Sequence, residues 1–300
     1  MSTISELTVS AGGLRFRCLH AGGGDRLALL VHGFPDDAGT WSQLLPALAQ
    51  AGYHAIAPWT RGYGETERAA DGRYDVAALG GDLVALRRAL GHRRAAIVGH
   101  DWGAVAGYVA VNMSKESFDC LVTMAVPPPR TLLRDLVRDP AQLRRSWYVG
   151  RFQLPGAAAR LRRDDLALVD RLWRDWSPGL RDARERVAAV KRTLSAPGSV
   201  EAALSYYRQL LPHRVARPVY REALRLATAR VEAPTLVIAG DEDGCIGPRM
   251  FNSIGPAFAA AHELERVAGA GHFMHLERPE LIASLVRSFL DRHVDASDVG

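Results

Sequence analysis

Apolar positions in the first third of the chain come in short runs separated by turn residues, and their spacing alternates between two periods. Residues 7–10 and 14–19 flank Gly12-Gly13 and predict an antiparallel hairpin, while 27–31 is an unbroken apolar run, as expected of a strand covered on both faces. Helical spacing over 41–50, 76–90 and 104–111 then alternates with strand-like runs over 53–58, 95–99 and 121–126. A chain with this rhythm packs its strands parallel and places helices on both faces. The expected fold class is therefore α/β, a mostly parallel, doubly wound sheet.

The rhythm breaks at Pro127-Pro128-Pro129. The next hundred residues carry helical periodicity and almost no strand-like run. Alternation resumes at Pro234 with a strand over 235–239, a helix over 248–257, a strand over 263–267 and an amphipathic helix over 279–293. The expected organisation is a core formed from 1–128 and 231–300, interrupted by a helical insert at 129–230. Ligands of open parallel sheets bind beyond the carboxyl ends of the strands, where such an insert forms a lid.

Composition acts mainly by exclusion. A chain of 300 residues, 48% hydrophobic and 24% charged, is an ordinary globular one, and no apolar stretch reaches the roughly 18 residues a membrane span needs. The first ten residues have neither the basic nor the apolar segment of an export signal, so a cytoplasmic location is expected. Cys18, Cys120 and Cys245 are odd in number and scattered, which suits reduced thiols and implies no metal. The net charge is +5, yet the insert at 129–230 alone holds 22 basic and 10 acidic residues, so the rest of the chain is acidic. That excess reads either as solvated helix faces or as a positive surface near the site entrance, suited to anionic or amphipathic substrates or a weak membrane contact. No basic stripe interleaved with aromatics marks a nucleic-acid platform, and Gly22-Gly23-Gly24 lacks the continuation of a phosphate loop.

Gly99-His100-Asp101-Trp102-Gly103 falls where the strand at 95–99 must turn into the helix at 104–111. It has the form of a nucleophile elbow, G-x-S-x-G, with aspartate in the place of serine. The other reading is that Asp101 only caps the helix. A carboxylate nucleophile leaves an ester, and releasing that ester takes a general base and an acid to orient it. Both follow in the expected order: Asp243 in the loop after 235–239, with Asp241 and Glu242 as rivals, and His272 after the last strand. His272 and His275 form H-x-x-H, but no third ligand accompanies them, so no metal site is expected. His32-Gly33-Phe34-Pro35 ends the run at 27–31, which brings the Phe34 and Trp102 N–H groups together as an expected oxyanion hole.

These motifs, with Arg61-Gly62-Tyr63-Gly64 and Gly271-His272-Phe273, run over nearly the whole chain. They resemble the α/β-hydrolase fold superfamily and most of all its epoxide hydrolase family, of the soluble epoxide hydrolase type. The resemblance implies a cap domain, no cofactor, and two lid tyrosines that hydrogen-bond the epoxide oxygen. Tyr148 opens a segment, 148–156, similar to the family's first lid motif, and Tyr207, in Ser205-Tyr206-Tyr207-Arg208, resembles the second, with Tyr206 and Tyr220 as rivals. The sequence departs from the family at Trp59, where aspartate is commoner, and at Met113-Ser114-Lys115-Glu116, which replaces a His-Pro-Glu stretch.

The implied reaction is hydrolysis of an epoxide to a vicinal diol. Asp101 attacks a ring carbon, Tyr148 and Tyr207 act as acids, and His272, oriented by Asp243, activates water against the Asp101 ester. The implied partner is a small hydrophobic or amphipathic epoxide, with neither nucleic acid nor integral membrane association. The oligomeric state stays open, a homodimer included, and the arginine-rich lid suggests a preference for carboxylate-bearing epoxides. The competing readings are a haloalkane or haloacid dehalogenase on the same fold, with Trp102 and one of Trp147, Trp173 or Trp176 as halide donors, and a non-catalytic ligand-binding homologue.

Overall fold

The computed structural model of the chain describes residues 3–294. Eight strands form one sheet: β1 (Ser5–Ala11), β2 (Leu14–Ala21), β3 (Arg26–Val31), β4 (Tyr53–Pro58), β5 (Ala95–His100), β6 (Phe118–Met124), β7 (Thr235–Gly240) and β8 (His262–Val267). Their order is β1-β2-β4-β3-β5-β6-β7-β8. The hairpin expected at the N-terminus pairs Ala11 with Leu14, and β2 continues antiparallel onto β4. Every pairing from β4 to β8 is parallel.

Side-chain alternation along the buried strands divides the core into two layers. Leu27, Leu29 and Val31 face one side with Ile97 and Leu121, under α2 (Val76–Ala89) and α3 (Trp102–Met113). Ala28 and Leu30 face the other with Val98 and Ile238, under α1 (Leu44–Gln50) and the last helix (Pro279–His293). Between β6 and β7 lie eight helices: α4 (Pro129–Leu136), α5 (Pro140–Arg145), α6 (Trp147–Gln153), α7 (Ala157–Leu161), α8 (Arg163–Trp176), α9 (Arg184–Ser195), α10 (Ser199–Arg208) and α11 (Arg217–Thr228). A parallel β6–β7 step needs a crossover helix on the sheet. α11 supplies it, packing on α2 and α3 with the Asn112 amide donating to the Leu226 carbonyl at 2.9 Å. The short α12 (Met274–Glu277) leads into α13 (Pro279–His293). No helix among the described residues is long and apolar enough to cross a membrane.

Two expectations need correction. The helix over 41–50 begins at Leu44, after a separate 3-10 turn at Ala38–Trp41. The helix over 248–257 does not form. Two 3-10 turns, Pro248–Phe251 and Gly255–Ala257, stand there instead, because Pro256 has no N–H to donate and Gly255 disfavours helical backbone.

Candidate active site

The β5–α3 junction builds the site. Asp101 sits between strand and helix with φ 51° and ψ −116°, a backbone region that L-residues adopt only under constraint. The turn is tight enough that a Cβ on Gly103 would lie 1.9 Å from the Val31 carbonyl oxygen, so the fifth position of the motif must be glycine. Asp101 makes no side-chain cap hydrogen bond to α3, which sets aside its reading as a simple helix cap. Its carboxylate turns toward the loop after β3. There Oδ1 accepts from the Phe34 N–H at 2.8 Å, and the nearby Trp102 N–H helps to stabilise the charged carboxylate. Of the two N–H groups expected to form an oxyanion hole, that of Phe34 meets the Asp101 carboxylate directly and that of Trp102 favours its charge.

The other two members of the expected triad meet Asp101 from the ends of β7 and β8. His272 Nε2 lies 3.7 Å from Asp101 Oδ2, and His272 Nδ1 is 2.9 Å from Asp243 Oδ2. Asp243 is fixed by its other oxygen, which accepts from the Cys245 and Ile246 N–H groups at 2.7 and 2.8 Å. Asp241 and Glu242 are exposed and make no such contact with His272. The His272 backbone is clamped at both ends: its N–H donates to the Trp176 carbonyl at 3.0 Å, and its carbonyl accepts from His100 Nε2 at 2.9 Å. Trp176 also lays its ring 5.0 Å from the imidazole. Sequence motifs gave no sign of these roles for Trp176 and His100, because both act through tertiary contacts.

Burial and charge oppose one another here. Burial pushes the Asp101 carboxyl above its ordinary range, against the pull of His272 and the two N–H donors. Burial also lowers His272, but the Asp243 and Asp101 carboxylates outweigh it, so its pKa stands above 6.5.

Helices of the 129–230 insert add aromatic rings to this constellation. Tyr148 on α6 and Tyr207 on α10 are buried, their rings 5.7 Å apart, and Tyr207 stands 5.0 Å from the Trp102 ring. The Tyr207 hydroxyl has no protein partner, whereas that of Tyr148 touches Cys245 Sγ at 3.4 Å. Burial holds both phenols well above 10, so they are protonated donors at neutral pH. Tyr206 is different: its hydroxyl donates to the Arg61 carbonyl at 2.9 Å. Arg61 in turn binds the buried Asp82, with Nε 2.6 Å from Oδ2, so the Arg-Gly-Tyr-Gly motif anchors this tyrosine to the core.

Asp101, Trp102, Tyr148, Tyr206, Tyr207 and Tyr220 line one cavity of about 310 Å³, with α4 and α11 forming part of its wall, although the Tyr206 hydroxyl itself is held by Arg61. Asp101 is its one charged lining residue, and no arginine or lysine of the described residues lines it. The insert's arginines therefore do not line the interior, which is otherwise largely apolar. Two buried groups bring three possible metal ligands within 4.8 Å: Asp36, His100 and His275, and Asp243, Cys245 and His272. In the first, the Arg186 guanidinium already meets Asp36, and in the second the Asp243–His272 hydrogen bond occupies the ligand atoms. Of the tryptophans considered as halide donors, Trp173 spends its indole N–H on the Pro35 carbonyl at 2.7 Å.

The sheet order and the sharp strand-to-helix turn at Asp101 define a class, and the chain belongs to the α/β-hydrolase fold family, which it matches over residues 29–279. Its similarity to named proteins is more particular. Epoxide hydrolase A of Mycobacterium tuberculosis is 31% identical, over 97% of this chain and 98% of its own. Epoxide hydrolase 3 of Xenopus tropicalis is 28% identical, over 93% of this chain and 75% of its own. Among solved structures, epoxide hydrolase A from Mycobacterium thermoresistibile matches with a TM-score of 0.81 at 28% identity, covering 96% of this chain and 98% of that one.

Proposed function

We propose that this chain is an epoxide hydrolase that converts a small epoxide and water to a vicinal diol, using Asp101, His272, Asp243, Tyr148 and Tyr207. The observation that carries the reading is the opposition, across one apolar cavity, of the Asp101 carboxylate and two protonated phenols. An Asp101 oxygen attacks a ring carbon, the C–O bond opposite breaks, and the departing oxygen takes a proton from Tyr148 or Tyr207. The resulting alkyl ester holds its carbonyl toward the Phe34 and Trp102 N–H groups. Water, giving its proton to His272 as Asp243 stabilises the imidazolium, attacks that carbonyl carbon. Collapse returns the Asp101 carboxylate and frees the diol, and the imidazolium proton passes back to the tyrosinate. No cofactor enters the sequence. The segment 129–230 acts as the lid on a core of 1–128 and 231–300, although α11 at its end also packs on that core.

The dehalogenase and non-catalytic readings are not favoured, since the relatives reported above are named epoxide hydrolases. A His272→Gln variant incubated with an epoxide panel and then weighed intact tests the mechanism. The ester should accumulate as an adduct of the whole epoxide mass, mapped to Asp101. An alkyl adduct lacking halogen, formed from haloalkanes and not from epoxides, contradicts the proposal. So does a folded variant that stays unlabelled by epoxides the unmodified protein turns over.

A further inference from the structure

We infer that the rim of the cavity mouth is a docking surface for an anionic lipid bilayer, from which apolar substrate enters the site. The delivery step rests on the epoxide hydrolase reading, whereas the docking itself does not. α4 carries an apolar stripe at Pro129, Leu132, Leu133, Leu136 and Val137, the spacing of one helix face. Leu132 and Leu136 line the cavity, but Leu133 and Val137 stand 49% and 74% exposed. Leu143 on α5 is 49% exposed, and across the mouth Leu210 and Leu224 are 43% and 41% exposed. Leu133, Leu210 and Leu224 also line the cavity, so the exposed apolar surface runs without a break into the site. These five are most of the large hydrophobic side chains exposed among the described residues, and a concentration of this kind marks an interaction surface.

The charge around it selects the partner. Residues 129–145 and 209–225 hold nine arginines against three carboxylates. Two of those carboxylates are engaged locally, Asp135 by Arg134 and, more loosely at 4.0 Å, by Arg138, and Glu222 by Arg225, while the third, Asp139, caps α5. Arg138, Arg144, Arg214, Arg217 and Arg221 remain exposed around the leucines. Apolar side chains ringed by guanidinium groups match the boundary between acyl chains and anionic headgroups. A second copy of this chain fits less well, because a two-fold contact would set the basic rim against itself.

Co-sedimentation of the full chain with vesicles of phosphatidylcholine, with and without phosphatidylglycerol, reads the docking directly. Binding should be about tenfold or more tighter to the anionic vesicles and should weaken with added salt. A Val137→Ser/Leu143→Ser variant, altered only at exposed positions away from the cavity lining, should lose about tenfold of that binding. It should keep its thermal midpoint and its kcat/KM on a short, water-soluble epoxide. An Arg138→Gln/Arg217→Gln/Arg221→Gln variant should lose the preference for phosphatidylglycerol. Equal binding to both vesicle types, no binding to either, or insensitivity to both variants overturns the inference. A concentration-dependent dimer abolished by Val137→Ser/Leu143→Ser also overturns it and assigns the face to a second copy. Turnover of the soluble epoxide is measured without vesicles, so failure of docking and failure of the catalytic reading are separate results.

Discussion

Tyr206 and Tyr207 are adjacent in the chain, yet their hydroxyls do different work. The Tyr207 hydroxyl is buried without a partner in the cavity, and the Tyr206 hydroxyl is committed to the Arg61 carbonyl. Tyr207→Phe should therefore slow ring opening by about 10- to 100-fold, since Tyr148 remains as a second acid, and leave the unfolding midpoint nearly unchanged. Tyr206→Phe should do the reverse, losing about 1–2 kcal/mol of stability by orphaning a buried carbonyl, with ring opening slowed only a few-fold. Single-turnover kinetics beside urea unfolding separates the two outcomes. His272 supports a second prediction. Burial lowers its pKa, Asp243 and Asp101 more than restore it, and the net position is above 6.5. A base works only when neutral, so activation of water fades as the pH falls through that raised value. In the ester, however, Asp101 has lost its charge and with it one of the influences that raise His272. Ester decay should accordingly show a lower inflection than the imidazole titration of the resting protein followed by NMR. Equal or inverted values contradict the electrostatic account.

The elements differ in how much their form depends on single residues. A Cβ on Gly103 meets the Val31 carbonyl at 1.9 Å, so Gly103→Ala must push α3 away from β3 and should cost on the order of 3 kcal/mol or prevent folding. Gly150 lies exposed inside α6, where an added Cβ meets nothing within 4 Å, so Gly150→Ala should stabilise the lid by roughly 0.5–1 kcal/mol. Urea midpoints of the pair test whether glycine is required by packing in one place and merely tolerated in the other. The same contrast explains what the sequence makes legible. Strand and helix periods, the glycine-flanked Asp101, and the order Asp101, Asp243, His272 are local signals, and they led to the hairpin, the parallel sheet and the three side chains that meet beyond its strands. The failed helix at 248–257 had apolar spacing but carried Pro256, whose missing donor decided against it. The choice between Tyr206 and Tyr207 depends on which way one helix turns against the core, and the arginine excess does not report which faces those side chains occupy. Both are tertiary facts that no local period encodes.

At the scale of the molecule, helices of the 129–230 insert are tied to the core through the loop that carries Phe34. Trp173 on α8 donates to the Pro35 carbonyl, Thr193 on α9 donates to Asp37 Oδ2 at 2.6 Å, and Arg186 on α9 bridges the buried Asp36 and Asp37. Phe34, whose N–H meets Asp101, is the residue just before this clasp, so seating these helices also positions that N–H. Arg186→Met should leave two buried carboxylates without their cation, at a cost of about 3–5 kcal/mol. It should also quicken hydrogen exchange in α9 and lower kcat. The loss should depend on pH with a definite sign. Burial already holds Asp36 up at about 6, despite Arg186 pulling it down, so without the guanidinium its pKa rises further. A carboxyl whose folded pKa exceeds its unfolded value favours the folded state increasingly as the pH falls through the folded value. The deficit of Arg186→Met relative to the unmodified protein should therefore shrink between about pH 8 and about pH 5. Adding Asp36→Asn should recover part of it at the higher pH, in a non-additive double-mutant cycle. A deficit that stays constant across that range would show that Arg186 holds the lid through packing alone, and the electrostatic coupling between lid and oxyanion loop would then be lost.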